Sequence, residues 1–523
     1  MIGRALALGL LALAAALLPQ GCARKAVKPN VLVIVIDTLR ADRMGGEGYA
    51  RVTTPRLDEF AQDGLRFTHL QSPRAKTTPA VASLMTGLYP HDHHVRDLTT
   101  PLPQGVRTLA QGLSRAGWRT GAIVGNFVLK DELSGLARGF DSWTEDFPDE
   151  QGVPPEDVPQ RKAPSLTDGA LRALGLGPTA ADGAGPARPF VRKDMPWFLY
   201  LHYMDPHGLY DPPAEFAQVA ERTEPLWIPP PGEPGLHGLG KQWIAEYNVL
   251  DADRDAQGRI DASRVIERYD GEVLSADAQI GRLLDVLRTK GLLENTIVLI
   301  VADHGESLGE HDYWFEHGRY AYEATCRVPG ILRLPESLRG SLSGLPGELP
   351  APGLRHGDLS LCDIAPTILD ILRLPRLSAA SNGPRGMSRT RLLDADEGPR
   401  PVFCEKVERA EKSQAVQTKA VRIGDWKFLR RYTHLPDPER AGEDRLVLLG
   451  EQLYDLRTDP TEARNLADTP PADAPLDRLR AELLRFSTAD EHFSKLARRL
   501  QERREELGRD DPETLRILRA LGY

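Results

Sequence analysis

The chain has 523 residues, of which 41% are hydrophobic and 27% are charged, and its formal net charge is −9 at pH 7. This negative charge, and the lack of basic clusters interleaved with aromatic residues, argue against a nucleic-acid-binding protein. The length could hold about three average domains, although a large α/β fold can use as many residues in one unit.

The N-terminus has the layout of a secretory signal. A short start containing Arg4 precedes an apolar stretch at residues 5–18, which is followed by Pro19-Gln20-Gly21-Cys22. The stretch is shorter than a membrane span, which favours cleavage over a permanent anchor. Its ending resembles a bacterial lipoprotein signal, in which Cys22 becomes the lipidated first residue. Cleavage without lipid is the alternative, because Pro19 stands where such signals prefer Leu.

We therefore predict a signal peptide at residues 1–22 and a protein exported to the cell envelope or periplasm. Its only attachment to the membrane would be a lipid on Cys22.

Two apolar, β-branched segments predict strands that are buried on both faces of a parallel sheet. Residues 31–37 end on Asp37, and residues 296–302 are followed by Asp303-His304. Ligands of open α/β sheets bind at the carboxyl ends of the strands, and carboxylate and imidazole groups suit a divalent metal. A lone aspartate at a strand end more often caps the next helix, but two strands with the same ending favour a metal site.

The same α/β pattern predicts three more strands, at residues 119–125, 196–203 and 329–333, and two helices, at Thr108–Ala116 and Val265–Lys290. Such alternation predicts a mostly parallel sheet with helices on both faces. Stretches rich in Pro and Gly at residues 145–195 and 211–262 are interpreted as surface insertions.

A smaller unit is predicted after a polar break at residues 374–398. It contains three short strand patterns, at residues 402–404, 420–423 and 426–430, and a charged helical tail from about Leu476 to Tyr523. We expect a small antiparallel sheet with a helix, packed beside the main unit. The predicted domains are a catalytic α/β domain at residues 30–398 and a C-terminal α+β subdomain at residues 399–523.

The four cysteines are Cys22, Cys326, Cys362 and Cys404, and no two form a Cys-x-x-Cys pair. If Cys22 is lipidated, an odd number remains, so no disulfide framework follows. The other three are interpreted as small, buried apolar residues.

The segment from Lys76 to Gly87 predicts a short helix. Thr78 is suited to the N-cap, Pro79 to the first helical position and Gly87 to the C-terminal stop. The free N–H groups at the start of a helix can bind an anion. By itself the pattern is equally that of an ordinary capped helix.

Together these segments resemble the sulfatase family of the alkaline phosphatase superfamily over residues 30–523. The resemblance is carried by Asn30–Asp42, Thr77–Val95, Gly117–Asp141, Trp197–Pro213, Tyr269–Pro335, Asp363–Thr367, Leu453–Leu456 and Leu521–Tyr523. Each segment alone is weak evidence for the resemblance, but the order and spacing of all the segments together are specific. The resemblance implies an alkaline phosphatase-like α/β fold and a hydrolase of sulfate or phosphate esters.

The resemblance also implies a metal site. Asp37, Asp303 and His304 take the places of the family's metal ligands, and Thr77 takes the place of the nucleophile that completes the shell. The expected cofactor is a divalent metal ion, Ca²⁺, Mg²⁺, Mn²⁺ or Zn²⁺, and the expected partner is an anionic ester substrate.

Further residues are expected beside the metal. His207, in Asp205-Pro206-His207, and His317, before Gly318, take the places of residues that contact the transferred group, and both are candidate proton donors. Asn126 is a candidate substrate-binding residue that donates a hydrogen bond to a non-bridging oxygen. Glu306 is a candidate to orient His304, with a solvated position in the loop as the equal alternative.

The chain departs from typical sulfatases at the nucleophile. Those enzymes convert a Cys or Ser to formylglycine, and the converting machinery reads an Arg four residues later, whereas this chain has Thr77 and Val81. The Lys and His of the typical sulfate pocket fall at Asn126 and Val128. Superfamily members with Thr at the nucleophile position typically act on phosphoryl groups. We therefore expect an unmodified Thr77 and a preference for phosphate esters.

Two alternatives stay open. One is a phospho-headgroup transferase of the cell envelope, although such enzymes usually carry several membrane helices and none is predicted after residue 22. The other is a non-catalytic metal-binding relative. The missing Arg, Lys and His favour it, and the intact Asp37, Asp303 and His304 oppose it.

Overall fold

The computed structural model describes residues 28–147, 160–177, 189–192, 194–219, 224–236, 242–338, 350–377, 398–409, 415–436 and 444–489. The predicted signal peptide and the part of the predicted helical tail after residue 489 lie outside these ranges.

The strands of the described ranges are β1 (Asn30–Ile36), β2 (Leu65–Phe67), β3 (Leu70–Gln71), β4 (Arg119–Val124), β5 (Ser142–Thr144), β6 (Trp197–Tyr203), β7 (Trp227–Ile228), β8 (Trp243–Ile244), β9 (Ile260–Asp261), β10 (Thr296–Ala302), β11 (Ser307–Leu308), β12 (Tyr313–Glu316), β13 (Arg327–Val328), β14 (Gly330–Arg333), β15 (Gly353–Arg355), β16 (Leu359–Ser360), β17 (Val402–Arg409), β18 (Ala415–Ile423), β19 (Trp426–Pro436) and β20 (Asp444–Asp455). The α-helices are α1 (Pro55–Ala61), α2 (Thr77–Thr86), α3 (Pro90–His93), α4 (Leu109–Arg115), α5 (Asp131–Ser134), α6 (Ala163–Ala173), α7 (Ala262–Thr289), α8 (Glu323–Cys326), α9 (Ile364–Ile371) and α10 (Leu476–Thr488).

The central sheet has eight strands in the order β15-β2-β14-β10-β1-β6-β4-β5. Its β10, β1, β6, β4 and β5 run parallel, while β14 pairs antiparallel with both β10 and β2. Every residue of β1, β6 and β10 is buried, as their continuous apolar sequences predict. The five predicted strands are thus confirmed to within one residue at each end, and the mostly parallel sheet contains one antiparallel strand, β14, which lies between β2 and β10.

The helices form two groups that cover the sheet. In one group α7 packs on α1 and α6, and in the other α2, α4 and α9 pack on one another. Thr108 caps α4 through a capping box with Gln111. This pair of residues is a sequence signature of a helix N-terminus, and it agrees with the helix predicted at this position.

One part of the predicted surface insertion at residues 145–195 belongs to the core. Helix α6 packs on β4, β6 and α7, and its Leu166 and Ala170 are completely buried. The insertion interpretation is therefore wrong for this helix. Its apolar residues lie four apart and share one face, although the surrounding composition is that of a loop.

The C-terminal unit is an antiparallel sheet in the order β17-β18-β19-β20, on which α10 packs. Phe486 of α10 stacks on Phe403 of β17 with ring centroids 4.3 Å apart, and Tyr89 from the main unit meets both rings. The predicted small sheet with a helix, packed beside the main unit, is confirmed. Strand β20 was not predicted. Across the described ranges, no helix combines the length and the hydropathy needed to cross a bilayer.

Candidate metal and catalytic site

The two aspartates predicted at strand ends lie side by side. Strands β1 and β10 are neighbours with Ile36 paired to Ala302, so Asp37 and Asp303 follow at adjacent carboxyl ends. Both side chains are completely buried. The sheet register, rather than any local sequence signal, brings together two residues that are 266 positions apart.

His304 and Thr77 complete a group of four predicted residues. The His304 Nε2 atom lies 3.6 Å from Asp37 Oδ1 and 3.7 Å from Asp303 Oδ2. The Thr77 Oγ1 atom lies 3.5 Å from Asp37 Oδ2 and 3.4 Å from His304 Nε2. The structure therefore brings together all four of the predicted metal ligands.

Helix α2 positions the Thr77 hydroxyl. The helix begins at Thr77 itself, with Lys76 as its N-cap residue. The predicted N-cap at Thr78 is wrong, because the Thr78 hydroxyl donates to the carbonyl oxygen of Val128 instead. Gly87 ends the helix with a φ of 72°, a left-handed conformation that favours glycine. Thr77 thus stands in the first turn, directly beside the strand ends.

His202 is a further residue of this site that the sequence reasoning missed. It lies in β6, paired with Val35 of β1, and its Nε2 atom is 3.5 Å from Asp303 Oδ2. Asp37, His202 and Asp303 each offer a ligand atom, and these atoms lie within 4.8 Å of one another. A histidine inside an otherwise apolar central strand was the available signal.

The side chains of this group fit a divalent metal. Within the described residues, Asp37 Oδ1, Asp303 Oδ2 and both ring nitrogens of His202 have no hydrogen-bond partner. Buried carboxylate oxygens without partners are costly, and a cation between them would remove that cost. Burial and the neighbouring Asp303 raise the pKa of Asp37. Burial also acts to raise the pKa of Asp303, but His304 and His202 outweigh it and lower that pKa.

His207 and His317 lie beside the group, as predicted. Their ring centroids are 5.1 Å apart, and the His317 ring is 4.4 Å from that of His304. Burial, together with His304 and His207, lowers the pKa of His317 well below its ordinary value.

The predicted role of Glu306 is wrong. Its Oε1 atom lies 3.3 Å from His317 Nδ1, and its Oε2 atom accepts a hydrogen bond from the Tyr210 hydroxyl. His304 Nδ1 instead lies 3.0 Å from the carbonyl oxygen of Gly305. Glu306 therefore positions His317 rather than His304.

Asn126 lies directly against the aspartate at the end of β1. Its Nδ2 atom donates to Asp37 Oδ2 over 2.7 Å, and its Oδ1 atom accepts from the backbone N–H of Val128. One amide hydrogen therefore orients Asp37. The contact of Asn126 with substrate stays a prediction.

The family assignment follows from comparison of the whole chain. The sulfatase family model matches residues 29–374, which is more than half of the sequence. The protein belongs to the sulfatase family. As a member of it, this protein is a hydrolase of sulfate or phosphate esters, in a family whose enzymes are generally dependent on a divalent metal.

Individual relatives are distant in sequence but similar over most of their length. Choline-sulfatase of Rhizobium meliloti (strain 1021) is 27% identical over 474 residues, which cover 85% of this chain and 83% of that protein. The solved structure of BT4656 in complex with its substrate, D-glucosamine-2-N,6-O-disulfate, has a TM-score of 0.64 at 20% identity. The match covers 89% of this chain and 99% of BT4656. The phosphonate monoester hydrolase of Agrobacterium radiobacter has a TM-score of 0.62 at 22% identity, with coverage of 88% and 96%. The fold of this sulfatase-family protein is thereby confirmed.

Proposed function

We propose that this sulfatase-family protein is an exported hydrolase that cleaves phosphate esters in preference to sulfate esters, through a covalent intermediate on Thr77. The observation that carries the proposal is the position of the Thr77 hydroxyl, 3.5 Å from Asp37 and 3.4 Å from His304. The hydroxyl therefore lies beside buried carboxylate and imidazole groups that fit a divalent cation.

Asp37, Thr77, Asp303 and His304 would hold that cation. His202 is placed either to join them or to orient Asp303 through its Nε2 atom. When bound, the ion lowers the pKa of a hydroxyl that it contacts and offsets negative charge on the transferred group. Carboxylate oxygens suit Mg²⁺, Ca²⁺ and Mn²⁺, whereas a second imidazole favours Zn²⁺.

In the first step the Thr77 oxygen attacks phosphorus. A bond between the Thr77 oxygen and phosphorus forms while the bond from phosphorus to the departing oxygen breaks, and the hydroxyl proton of Thr77 passes to solvent. The departing oxygen needs a proton. Because its pKa is lowered, His317 is neutral at neutral pH and serves best as a hydrogen-bond donor to the transferred group. His207, with its ring 5.1 Å away, is then the residue that protonates the departing oxygen.

In the second step water releases the phosphoryl group. Water attacks phosphorus, the bond from phosphorus to the Thr77 oxygen breaks, and the Thr77 oxygen takes up from solvent the proton that it released in the first step. His207 takes a proton from the attacking water and so returns to its starting state. After one turnover the protein has the same number of protons as at the start and carries no phosphoryl group.

The preference for phosphate rests on three residues. Thr77 is an ordinary alcohol, and Asn126 and Val128 stand where typical sulfatases place the Lys and His of the sulfate pocket. Asn126 is also engaged with Asp37. The similarity to a phosphonate monoester hydrolase is compatible with this preference, whereas the relative named choline-sulfatase makes sulfate esters the competing class.

The test is a matched panel of 4-nitrophenyl esters. Metal-free protein is reconstituted separately with Mg²⁺, Ca²⁺, Mn²⁺ and Zn²⁺, and kcat/KM is measured for a phosphate monoester, a phosphate diester, a phosphonate monoester and a sulfate ester. We expect a phosphorus ester to have the highest kcat/KM, and the Thr77→Ala variant serves as the matched control. A higher kcat/KM for the sulfate ester would overturn the substrate preference but leave the Thr77 mechanism standing.

A further inference from the structure

Two cysteines that are far apart in sequence meet in the interior. Cys326 is the last residue of α8, Cys404 lies in β17, and their Sγ atoms are 2.8 Å apart. Contacts between unbonded carbon atoms occur at about 3.5–4.0 Å, and sulfur is larger than carbon. Both residues are buried. Cys362 lies elsewhere, where its Sγ atom donates to the carbonyl oxygen of Leu88.

We infer that Cys326 and Cys404 form a disulfide in the mature protein and so join the main unit to the sheet of the C-terminal unit. The interpretation from sequence treated the two as separate apolar residues, because nothing local relates positions that are 78 residues apart. That the disulfide persists in the cell rests on the proposed export, since exported proteins keep disulfides and cytosolic proteins rarely do.

The bridge would lie directly behind the segment that leads to the nucleophile. The backbone N–H of Ser72 donates to the carbonyl oxygen of Cys326, and the N–H of Glu405 donates to the carbonyl oxygen of Pro73. The Arg74 side chain donates to the carbonyl oxygen of Glu405. The chain preceding Thr77 is therefore held by the backbone of both cysteine-bearing segments.

The proposed disulfide also lies close to the backbone that carries a metal ligand. The N–H of Gly305, the residue after His304, donates to the carbonyl oxygen of Thr325, the residue before Cys326. A covalent link at Cys326 would therefore anchor the backbone behind both His304 and Thr77. The two cysteines also share one apolar cluster with Leu429 and Tyr454 of the C-terminal sheet.

Bond formation balances by thiol–disulfide exchange. One cysteine thiolate attacks oxidised glutathione and releases one glutathione thiol, and the second cysteine then displaces the other glutathione as the intramolecular S–S bond forms. Two cysteine thiols are oxidised, and one glutathione disulfide is reduced to two thiols. Burial raises the pKa of Cys404 well above its ordinary value, which leaves little reactive thiolate in the folded state. The exchange therefore takes place during folding, and the finished bond is protected from reductants.

The experiment refolds the reduced, urea-denatured full chain in a buffer of oxidised and reduced glutathione, so it does not depend on export. Free thiols are then alkylated in urea, and the peptides are mapped by mass spectrometry without reduction. We expect one linked peptide that contains Cys326 and Cys404, with Cys362 alkylated. A chain that has refolded, as judged by circular dichroism, with Cys326 and Cys404 both alkylated would overturn the inference, as would a dominant link that includes Cys362.

Stability provides the second measurement. A reductant present throughout urea unfolding should lower the unfolding midpoint of the wild type, because the unfolded chain loses the constraint of a long closed loop. The reductant should not move the midpoint of the Cys326→Ala/Cys404→Ala double variant, while the matched Cys362→Ala variant should respond like the wild type. An equal response of the wild type and the double variant would contradict the disulfide. A linked peptide in a protein that hydrolyses no ester would overturn the proposed function alone.

Discussion

Replacement of Thr77 by alanine is the sharpest test of the proposed mechanism. The change removes the attacking oxygen, and it also removes the group that lies 3.5 Å from Asp37 and 3.4 Å from His304. Loss of a single member of a catalytic group can reduce kcat by about 10⁴- to 10⁶-fold, and we expect a fall in that range for Thr77→Ala. Removal of the buried methyl group in addition should cost about 0.8 kcal/mol of stability, so the variant should remain folded.

The Thr77→Ser variant is the matched control. Serine keeps the hydroxyl, but it lacks the methyl group that restricts the χ1 angle of threonine. If the serine populated three staggered wells equally, the productive rotamer would be occupied about one third of the time. Together with the lost methyl packing, this predicts a rate within about 10-fold of the wild type.

Quenched-flow mass spectrometry provides the assay. Wild-type protein mixed with an excess of phosphate ester and stopped in acid should yield a peptide that carries one phosphoryl group on Thr77. Thr77→Ala should yield none. The reasoning is refuted if Thr77→Ala keeps the wild-type rate and no adduct forms on the wild type.

Three other predictions concern the metal ligands, the N-terminus and the buried His93 of α3. Asp37→Asn and Asp303→Asn should each lower metal content, measured by elemental mass spectrometry, with circular dichroism unchanged; full metal content in both would contradict the assignment. The mature protein should lack residues 1–21 and carry a lipid on Cys22, and an intact Met1 in its mass spectrum would exclude cleavage. Burial lowers the pKa of His93 to about 3, so from pH 6.5 down to about 3 the unfolded chain binds a proton that the folded chain does not. Above pH 6.5 the neutral His93 has no effect on the pH dependence of stability. As the pH is lowered from 6.5, the free energy of unfolding falls, by about 2 kcal/mol at pH 5. In urea unfolding, the free energy of unfolding of His93→Gln should fall less between pH 7 and pH 5 than that of the wild type. An equal fall in both proteins would contradict the lowered pKa of His93.

The sequence by itself determined the central strands and the ends that carry the chemistry. Continuous apolar runs identify β1 and β10 because strands buried on both faces need no alternation. The polar residues that end these runs, Asp37 and Asp303, are local features that can be read from neighbouring positions. Thr77 was identified in the same way, from a short helical segment together with its resemblance to the sulfatase family.

Only the tertiary structure decided which buried polar groups meet. His202 joins the site because β6 is the neighbour of β1, and Glu306 contacts His317 because of how the chain folds back after β10. Cys326 reaches Cys404 because the C-terminal sheet packs against α8. These pairings depend on strand order, register and packing between distant segments. Local propensity carries no information about them, because the free energy that selects them comes from burying whole elements together.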